Sequence, residues 1–527
     1  MRTEWLRSRS VQGGLLGVLL VVVLAGWALS SPPGSSPDDG FHLTSIWCAE
    51  GFDGEFCFEN PGSADPAVAL VPLRVLELSC YQYDGSRSAS CLEEDDRLVS
   101  DRLSPKDSNV TGARPNLYYR AMHVFADADV LAAGNRIRAA NILVVTLMLL
   151  ATALVATDRV RTAFVLTTLV VGVPLGLFLV TSVNTAAWGL AGLVTLWANG
   201  VTAMTHPDRR RRLVAGLLAV IGVVLAMGSR TEAVVHVALT LGVLGILWWY
   251  SAGRPTPLLD LTGGRRTLAR GVLVAGLVAA AGLALALAPD SASLDTALRD
   301  IGNGYDRMAA RGIGDPLLAI LFEVPVLWTG AFGLNWGLGA LDTPIPSIAT
   351  VPLMAAFVIL LVRGLTGATR PRTLAASLVL VVLVLFPTFA LLRSALIVYE
   401  GLQPRQFMAM LFVLLGIALL RLPGEEPLRL GRGTRRMLLI ALGVGHTVAH
   451  LVNIRRYVSG LLPGHLGEFR HVSFASEIEW WWSGLPSPNV VWAVTSLAFV
   501  AAVWLTLRVA FPDDAATDRA EPAAARA

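Results

Sequence analysis

The chain has 527 residues, of which 54% are hydrophobic and only 15% are charged. A soluble globular protein carries about 25% charged residues, which argues against a large soluble enzyme. The formal net charge of +3 is small, and the arginines stand in short loops between apolar blocks, so a nucleic acid partner is not expected. Composition predicts a polytopic protein whose first partner is the lipid bilayer.

Apolar blocks of roughly 20 residues, long enough to cross a bilayer as a helix, recur along the chain. The first, Val11 to Leu29, is interpreted as a retained helix and not as a cleaved signal peptide, because no clean cleavage site precedes Pro32. Eleven further blocks predict an all-α protein with about 12 transmembrane helices: 140–157, 162–181, 186–204, 212–228, 233–250, 270–288, 345–363, 373–392, 406–421, 437–453 and 490–508.

Between the spans, two longer segments interrupt the pattern. Region 289–344 contains an apolar stretch broken by Glu323 and Pro325, and we predict an interfacial or re-entrant helix there, because a full span would invert everything downstream. The predicted organisation is a first helix at 1–30, a polar loop at 31–138, helices 2 to 7 at 139–288, the re-entrant segment at 289–344, helices 8 to 12 at 345–510, and a disordered tail at 511–527.

All four cysteines fall in the polar loop 31–138. An even number in one loop predicts two disulfides and an oxidising, extracytoplasmic side. Of the three possible arrangements we expect near-neighbour pairing, Cys48 with Cys57 and Cys80 with Cys91. Free thiols or a zinc site are the alternative, although the loop has no paired Cys-x-x-Cys spacing.

Arginine clusters occur in alternate short loops, which indicates the orientation. Arginine in short loops marks the cytoplasmic side, and this rule places both termini in the cytoplasm of a multi-pass plasma (inner) membrane protein. The arginine rule and the cysteines independently put loop 31–138 outside. The loops predicted to be extracytoplasmic are 31–138, 182–185, 229–232, 289–344, 393–405 and 454–489.

Two adjacent acids, Asp38 and Asp39, come directly after the first span. Such a pair can bind a divalent cation, Mg²⁺ or Mn²⁺, or one acid can take a proton from an acceptor hydroxyl. His42 would share a helical face with them if a helix begins here. The alternative for Asp38 is a plain helix N-cap.

Other polar residues are predicted on the same outer face. Arg405, beside a proline, can hold a phosphate bidentately, or it is an interface arginine whose charged head reaches water. Arg230 and Glu232 share a very short loop and either bind substrate or pair with each other. Asn184 caps a span or lines a site. The candidate substrate-binding residues are His42, Asn184, Arg230, Glu232, Asp342, Gln403 and Arg405.

The order of these motifs resembles a bacterial family of predicted membrane proteins, domain of unknown function 2142. Residues 31–42 look like its "P-P…P-D-E-x-x-H" opening, with Asp39 in place of the glutamate. Gln406 replaces the aromatic residue of a later "Q-x-R-Y" landmark. The resemblance covers about residues 15–420, and the later landmarks follow in the family's order: Asn116–Tyr119, Val183–Thr185, Gly339–Pro346 and Gly401–Arg405.

That family is similar to the GT-C glycosyltransferases, multi-helix membrane enzymes that use lipid-phosphate sugars as donors. The resemblance implies a GT-C-like hexosyl- or pentosyltransferase with its catalytic carboxylate at Asp38, beside Asp39. It also implies a polyprenyl-phosphate-linked sugar as donor and an envelope glycan or glycolipid as acceptor.

Two rival functions are considered, a transporter or flippase of lipid-linked sugars and a non-catalytic envelope assembly protein. A transporter predicts ionisable residues inside the spans. The charges here cluster at outer helix ends, and the spans themselves contain few ionisable groups, mainly His236, His446 and His450. The last two, spaced i,i+4, are expected to be packed histidines and not a metal site.

Overall fold

The computed structural model describes residues 9–76, 80–92, 100–251, 294–461, 480, 482 and 484–511. Within these residues the chain is mostly helical. The helices are α1 Arg9–Leu29, α2 Asp39–Trp47, α3 Leu73–Leu76, α4 Leu117–His123, α5 Val130–Val155, α6 Asp158–Val171, α7 Leu175–Val180, α8 Ala186–Thr205, α9 Arg209–Met227, α10 Ala233–Ser251, α11 Leu294–Ala310, α12 Pro316–Thr329, α13 Ser347–Leu365, α14 Arg370–Ser394, α15 Val398–Gly401, α16 Pro404–Leu419, α17 Arg432–Val458 and α18 Pro488–Ala510.

Seven of the described helices are long and apolar enough to cross a membrane: α1, α5, α10, α13, α14, α17 and α18. Helices α8, α9 and α16 lie at three further predicted spans, and the span predicted at 162–181 is divided between α6 and α7. The span predicted at 270–288 and the tail from residue 512 lie outside the described residues. The count of twelve therefore stays a prediction.

The start of the second span was placed too late, at residue 140. Helix α5 begins at Val130, because the Asp129 carboxylate accepts a hydrogen bond from Ala132 N at 3.0 Å and caps the helix. A separate, shorter helix, α4, lies just before it in the chain.

A small sheet corrects the all-α expectation for the polar loop. Strand β1, Val68–Pro72, pairs antiparallel with β2, Leu103–Asp107, with Val68 opposite Asp107. The sequence pattern does not predict these strands, because β2 has the sequence Leu-Ser-Pro-Lys-Asp, which contains a proline and no apolar alternation. Loop 31–138 is thus a folded segment that combines this sheet with short helices.

Both disulfides form with the expected near-neighbour pairing. Cys48 is bonded to Cys57, and Cys80 is bonded to Cys91. The first disulfide packs under β1 with Ala69 and Val71. The second closes a loop that lies against the end of α17, where Ser88 Oγ donates a hydrogen bond to Val458 O at 3.0 Å.

Contacts between loops gather at the two ends of the helix bundle. At one end, loops predicted to be extracytoplasmic meet: Asn184 Nδ2 donates to Ser36 Oγ at 3.0 Å. At the other, loops predicted to be cytoplasmic meet: Arg159 Nη1 donates to Leu422 O at 2.6 Å. The two sets of loops match those separated by the arginine rule. Which end faces the cytoplasm stays a prediction.

Helix α12 starts and finishes at the same end of the bundle. Just before it, Arg311 contacts Glu400 at 2.6 Å, and just after it, Gly330 packs against Pro404. With 14 residues it is about 21 Å long, shorter than a bilayer-spanning helix. This is the arrangement expected of an interfacial or re-entrant helix.

Helices α1, α17 and α18 pack around buried polar side chains. Trp27 Nε1 donates to His446 Nε2 at 3.0 Å, and the His450 ring lies 5.1 Å from the Trp27 ring. Both histidines are fully buried. They serve as packed histidines, as the absence of a glutamate-containing zinc motif suggested.

Candidate functional site

The acid pair lies on a tight turn that connects α1 to α2. Asp38 adopts a left-handed backbone with φ of 64°, and its carbonyl accepts the His42 N–H at 2.9 Å at the first turn of α2. A non-glycine residue in this region costs roughly 1–2 kcal/mol, so the surrounding contacts must hold it. Asp38 therefore occupies the N-cap position of α2, as the alternative expected, but its side chain makes no capping hydrogen bond.

The Asp38 carboxylate instead pairs with Arg405, 367 residues further along the chain. Arg405 Nη2 contacts Asp38 Oδ2, and Nη1 donates to Pro37 O at 3.3 Å. The Arg405 side chain is 8% exposed and that of Asp38 is 53% exposed. Burial acts to raise the pKa of Asp38, but the positive charge of Arg405 outweighs it and lowers that pKa. Asp38 is therefore an ionised carboxylate at neutral pH.

The start of α16 fixes Arg405 in place. Pro404 occupies the first helical turn, where its missing N–H costs nothing. Gln406 Oε1 accepts the Gln403 N–H at 2.9 Å. Gln403, predicted to bind substrate, thus contributes its backbone to the start of this helix, and Arg405 follows two residues later.

A cleft between α8, α10 and α16 opens beside Arg405. It is narrow, with a cavity volume of about 10 Å³. Arg230 and Glu232, which pair at 2.5 Å, lie at its wall with Arg405, and Leu190 and Leu193 supply apolar surface. Arg230 and Glu232 therefore pair with each other, as one alternative expected, and both line the cleft. Substrate binding by these residues stays a prediction.

Two buried nitrogen atoms at this cleft have no hydrogen-bond partner. They are Arg405 Nε and His236 Nε2, and both side chains line the cleft. By its sequence position, His236 is only an ionisable residue within a predicted span. The missed signal is its position four residues after Glu232, which puts both side chains on one face of a helix.

Asn184 and His42 support the turn that carries Asp38 and Asp39. Asn184 Nδ2 donates to Pro37 O at 3.1 Å, while its Oδ1 accepts the Ala186 N–H at 2.9 Å. His42 Nδ1 is 3.0 Å from the Tyr119 hydroxyl. Burial lowers the pKa of His42, so its ring is neutral at pH 7. Both residues therefore position the turn that carries Asp38 and Asp39.

Asp39 differs sharply from its neighbour although it is the next residue. Its side chain is buried, Oδ2 accepts the Ser36 N–H at 3.1 Å, and Oδ1 has no partner. Burial raises the pKa of Asp39 to about 7, although the Ser36 hydrogen bond and the charge of Arg138 act to lower it. The predicted pair is therefore one exposed, ionised acid and one buried acid.

Stability should depend on pH through Asp39. Between pH 4 and 7 the folded protein keeps a proton that the unfolded chain releases, so the free energy of unfolding falls as pH rises, by up to about 4 kcal/mol over the window. Asp39→Asn should remove this slope. Thermal unfolding of the detergent-purified protein at pH 5 and pH 8 measures it, and parallel pH profiles for the wild type and the variant would contradict the expectation.

The donor set does not fit the predicted Mg²⁺ or Mn²⁺ site. In the described ranges no three His, Cys, Asp or Glu side chains come close enough to hold a metal ion. Asp38 Oδ2 is occupied by the Arg405 guanidinium, and Asp39 is buried with its Oδ2 on Ser36 N. A cation requirement stays a prediction.

Asp342 does not join the Asp38–Arg405 group. Its carboxylate forms a buried ion pair with Arg456 at 2.7 Å. Arg456 also donates to Tyr81 O, and the Tyr81 hydroxyl donates to Pro33 O at 2.7 Å. The Tyr457 hydroxyl contacts Ser35 O at 3.4 Å. Among the described residues, Asp342 therefore reaches the turn that carries Asp38 through Arg456 and Tyr81, a connection that no sequence pattern indicates.

These features define a polytopic membrane protein with a charged cleft at one end of its helix bundle and a disulfide-stabilised loop folded over that end. The chain belongs to the family described as "Predicted membrane protein (DUF2142)", whose model matches residues 20–414. No curated protein and no solved structure matches the chain. The matched region includes Asp38 and Arg405 but ends before α17, which supplies Arg456 and Tyr457.

Proposed function

We propose that the chain is a GT-C-like membrane glycosyltransferase acting at the extracytoplasmic face. It would move a hexosyl or pentosyl residue from a polyprenyl-phosphate donor to an envelope glycan or glycolipid. The observation that carries the proposal is the contact between Arg405 and Asp38 at the mouth of the cleft. A guanidinium that can bind phosphate and a carboxylate that can accept a proton are adjacent there.

The proposed step inverts the anomeric carbon. The acceptor hydroxyl oxygen bonds to that carbon from one face while the bond from the carbon to the phosphate oxygen breaks on the other. Asp38 takes the hydroxyl proton, and polyprenyl phosphate leaves with the bonding electron pair. Arg405, helped by Arg230, stabilises the negative charge that grows on the phosphate.

The cleft walls favour a lipid-linked donor over a soluble one. Leu190, Leu193 and Ala409 lie below the charged residues, so one surface offers apolar and cationic contacts together. A transporter or flippase of lipid-linked sugars is the second candidate, and it is favoured by His236, an ionisable residue within an apolar helix at the same cleft.

Asp38→Asn tests the proposal in cells that make the variant at the normal level. The expected result is loss of one envelope glycan linkage and accumulation of the lipid-linked sugar on the outer leaflet. Glu55→Gln, an exposed acid of the same polar loop, is the matched control and should leave the glycans intact. Accumulation on the inner leaflet would favour the flippase, and unchanged glycans would contradict glycosyl transfer.

A further inference from the structure

We infer that the Asp38–Arg405 contact is a resting latch that a phosphate group opens. A phosphate entering the cleft would take Arg405, and only then would Asp38 be released to act on an acceptor. The inference rests on the proposed function and adds an order of binding to it. The donor binds first and the acceptor second.

The guanidinium of Arg405 is only partly used in the resting arrangement. Nη1 is bonded to Pro37 O, Nη2 is held by Asp38, and Nε has no partner. Nε and Nη2 form one edge of the planar group, which binds two oxygens of a phosphate side by side. A phosphate on this edge needs Nη2, so it must displace the Asp38 carboxylate.

The cleft itself carries unmet hydrogen-bonding capacity on this side. Arg405 Nε is a buried donor without a partner, and its side chain lines the cleft. A buried polar atom without a partner destabilises the empty cleft. A ligand that supplies oxygen atoms to the cleft would remove this cost, and that gain offsets the loss of the ion pair.

The turn allows Asp38 to leave without unfolding. Its side chain is about half exposed. The backbone before it is held by the Tyr81 hydroxyl on Pro33 O and by the Asp39 carboxylate on Ser36 N, and the Asp38 carbonyl accepts the His42 N–H. Release therefore needs only a side-chain rotation toward solvent. The charged and titratable groups that face Asp38 from the surrounding elements are Arg405, His42, Arg230, Tyr119 and its neighbour Asp39.

A double-mutant cycle on phosphate binding tests the latch with the full chain in detergent. The probes are farnesyl phosphate and inorganic phosphate, measured by calorimetry. Asp38→Asn removes the competitor and should tighten farnesyl phosphate binding about tenfold, whereas Arg405→Gln should weaken it about 100-fold. In Asp38→Asn/Arg405→Gln the tightening should disappear, because there is no longer a contact to compete with.

The double variant separates competition from a simple loss of negative charge. If the tightening persists without Arg405, the effect is through-space and the latch is wrong. If Asp38→Asn alone does not tighten binding, the latch is also wrong. Arg405→Lys provides a second background should the glutamine variant fail to fold, and the lysine should retain part of the coupling.

Comparison of the two probes identifies the source of the phosphate. Tighter binding of farnesyl phosphate than of inorganic phosphate is expected from the apolar wall, and equal binding would overturn the lipid assignment. Success of the cycle together with unchanged glycans in Asp38→Asn cells would leave the latch intact and reject the transferase. Loss of a glycan linkage in Asp38→Asn cells, without coupling in the binding cycle, would support the transferase and reject the latch.

Discussion

Arg456→Met should destabilise the protein by about 3–5 kcal/mol, because it leaves a buried carboxylate without its partner. Arg456 is fully buried, its Nη2 is 2.7 Å from Asp342 Oδ2, and the same guanidinium donates to the carbonyls of Tyr81 and Arg87. Thermal unfolding in detergent measures the loss. Limited proteolysis should also show faster cleavage in the Cys80–Cys91 loop, which these bonds hold.

Two further variants sharpen this expectation. Arg456→Met/Asp342→Leu removes both charges and should recover part of the stability, since a buried pair replaced by apolar residues is often tolerated. Arg136→Met breaks a pair whose side chains are 47% and 46% exposed, and it should cost about 1 kcal/mol or less. Equal losses in Arg456→Met and Arg136→Met would contradict the structural role of the buried pair.

Gly26→Ala should separate α1 from α18 and destabilise the bundle by about 1–3 kcal/mol. A Cβ at this position would come within 1.8 Å of Thr495 Oγ1 and within 2.8 Å of Thr495 Cβ. Rotation of the threonine side chain does not move its Cβ, so the helices themselves must shift. The same stretch of α1 carries Trp27, so its hydrogen bond to His446 should weaken too.

Removing the Thr495 side chain from α18 should restore stability to the Gly26→Ala variant. Gly26→Ala/Thr495→Gly exchanges the small residue between α1 and α18, so its unfolding temperature should rise above that of Gly26→Ala. Gly14→Ala in the same helix meets no atom within 4 Å and is the matched control, with stability equal to or above that of the wild type. If Gly26→Ala and Gly14→Ala unfold at the same temperature, the close packing of α1 on α18 is refuted.

Local pattern and composition predicted much of the architecture. Most described span-like helices lie where the apolar blocks predicted them, since helix position depends on runs of neighbouring residues. Near-neighbour pairing of the cysteines was confirmed because short loops bring such cysteines together easily. The β1–β2 sheet was missed, since its strands are short and separated by a disulfide-closed loop.

By itself the sequence determined that the protein is a polytopic membrane protein of its family, with an acid pair after the first span and an arginine at the start of a later helix. Only the tertiary structure decided that Asp38 meets Arg405, that Asp39 is buried, that Asp342 pairs with Arg456 and that His236 lines the cleft. The physical reason is the distance along the chain between the residues that determine each property. Helix formation and membrane insertion depend on neighbouring residues, whereas burial and ion pairing depend on residues hundreds of positions apart.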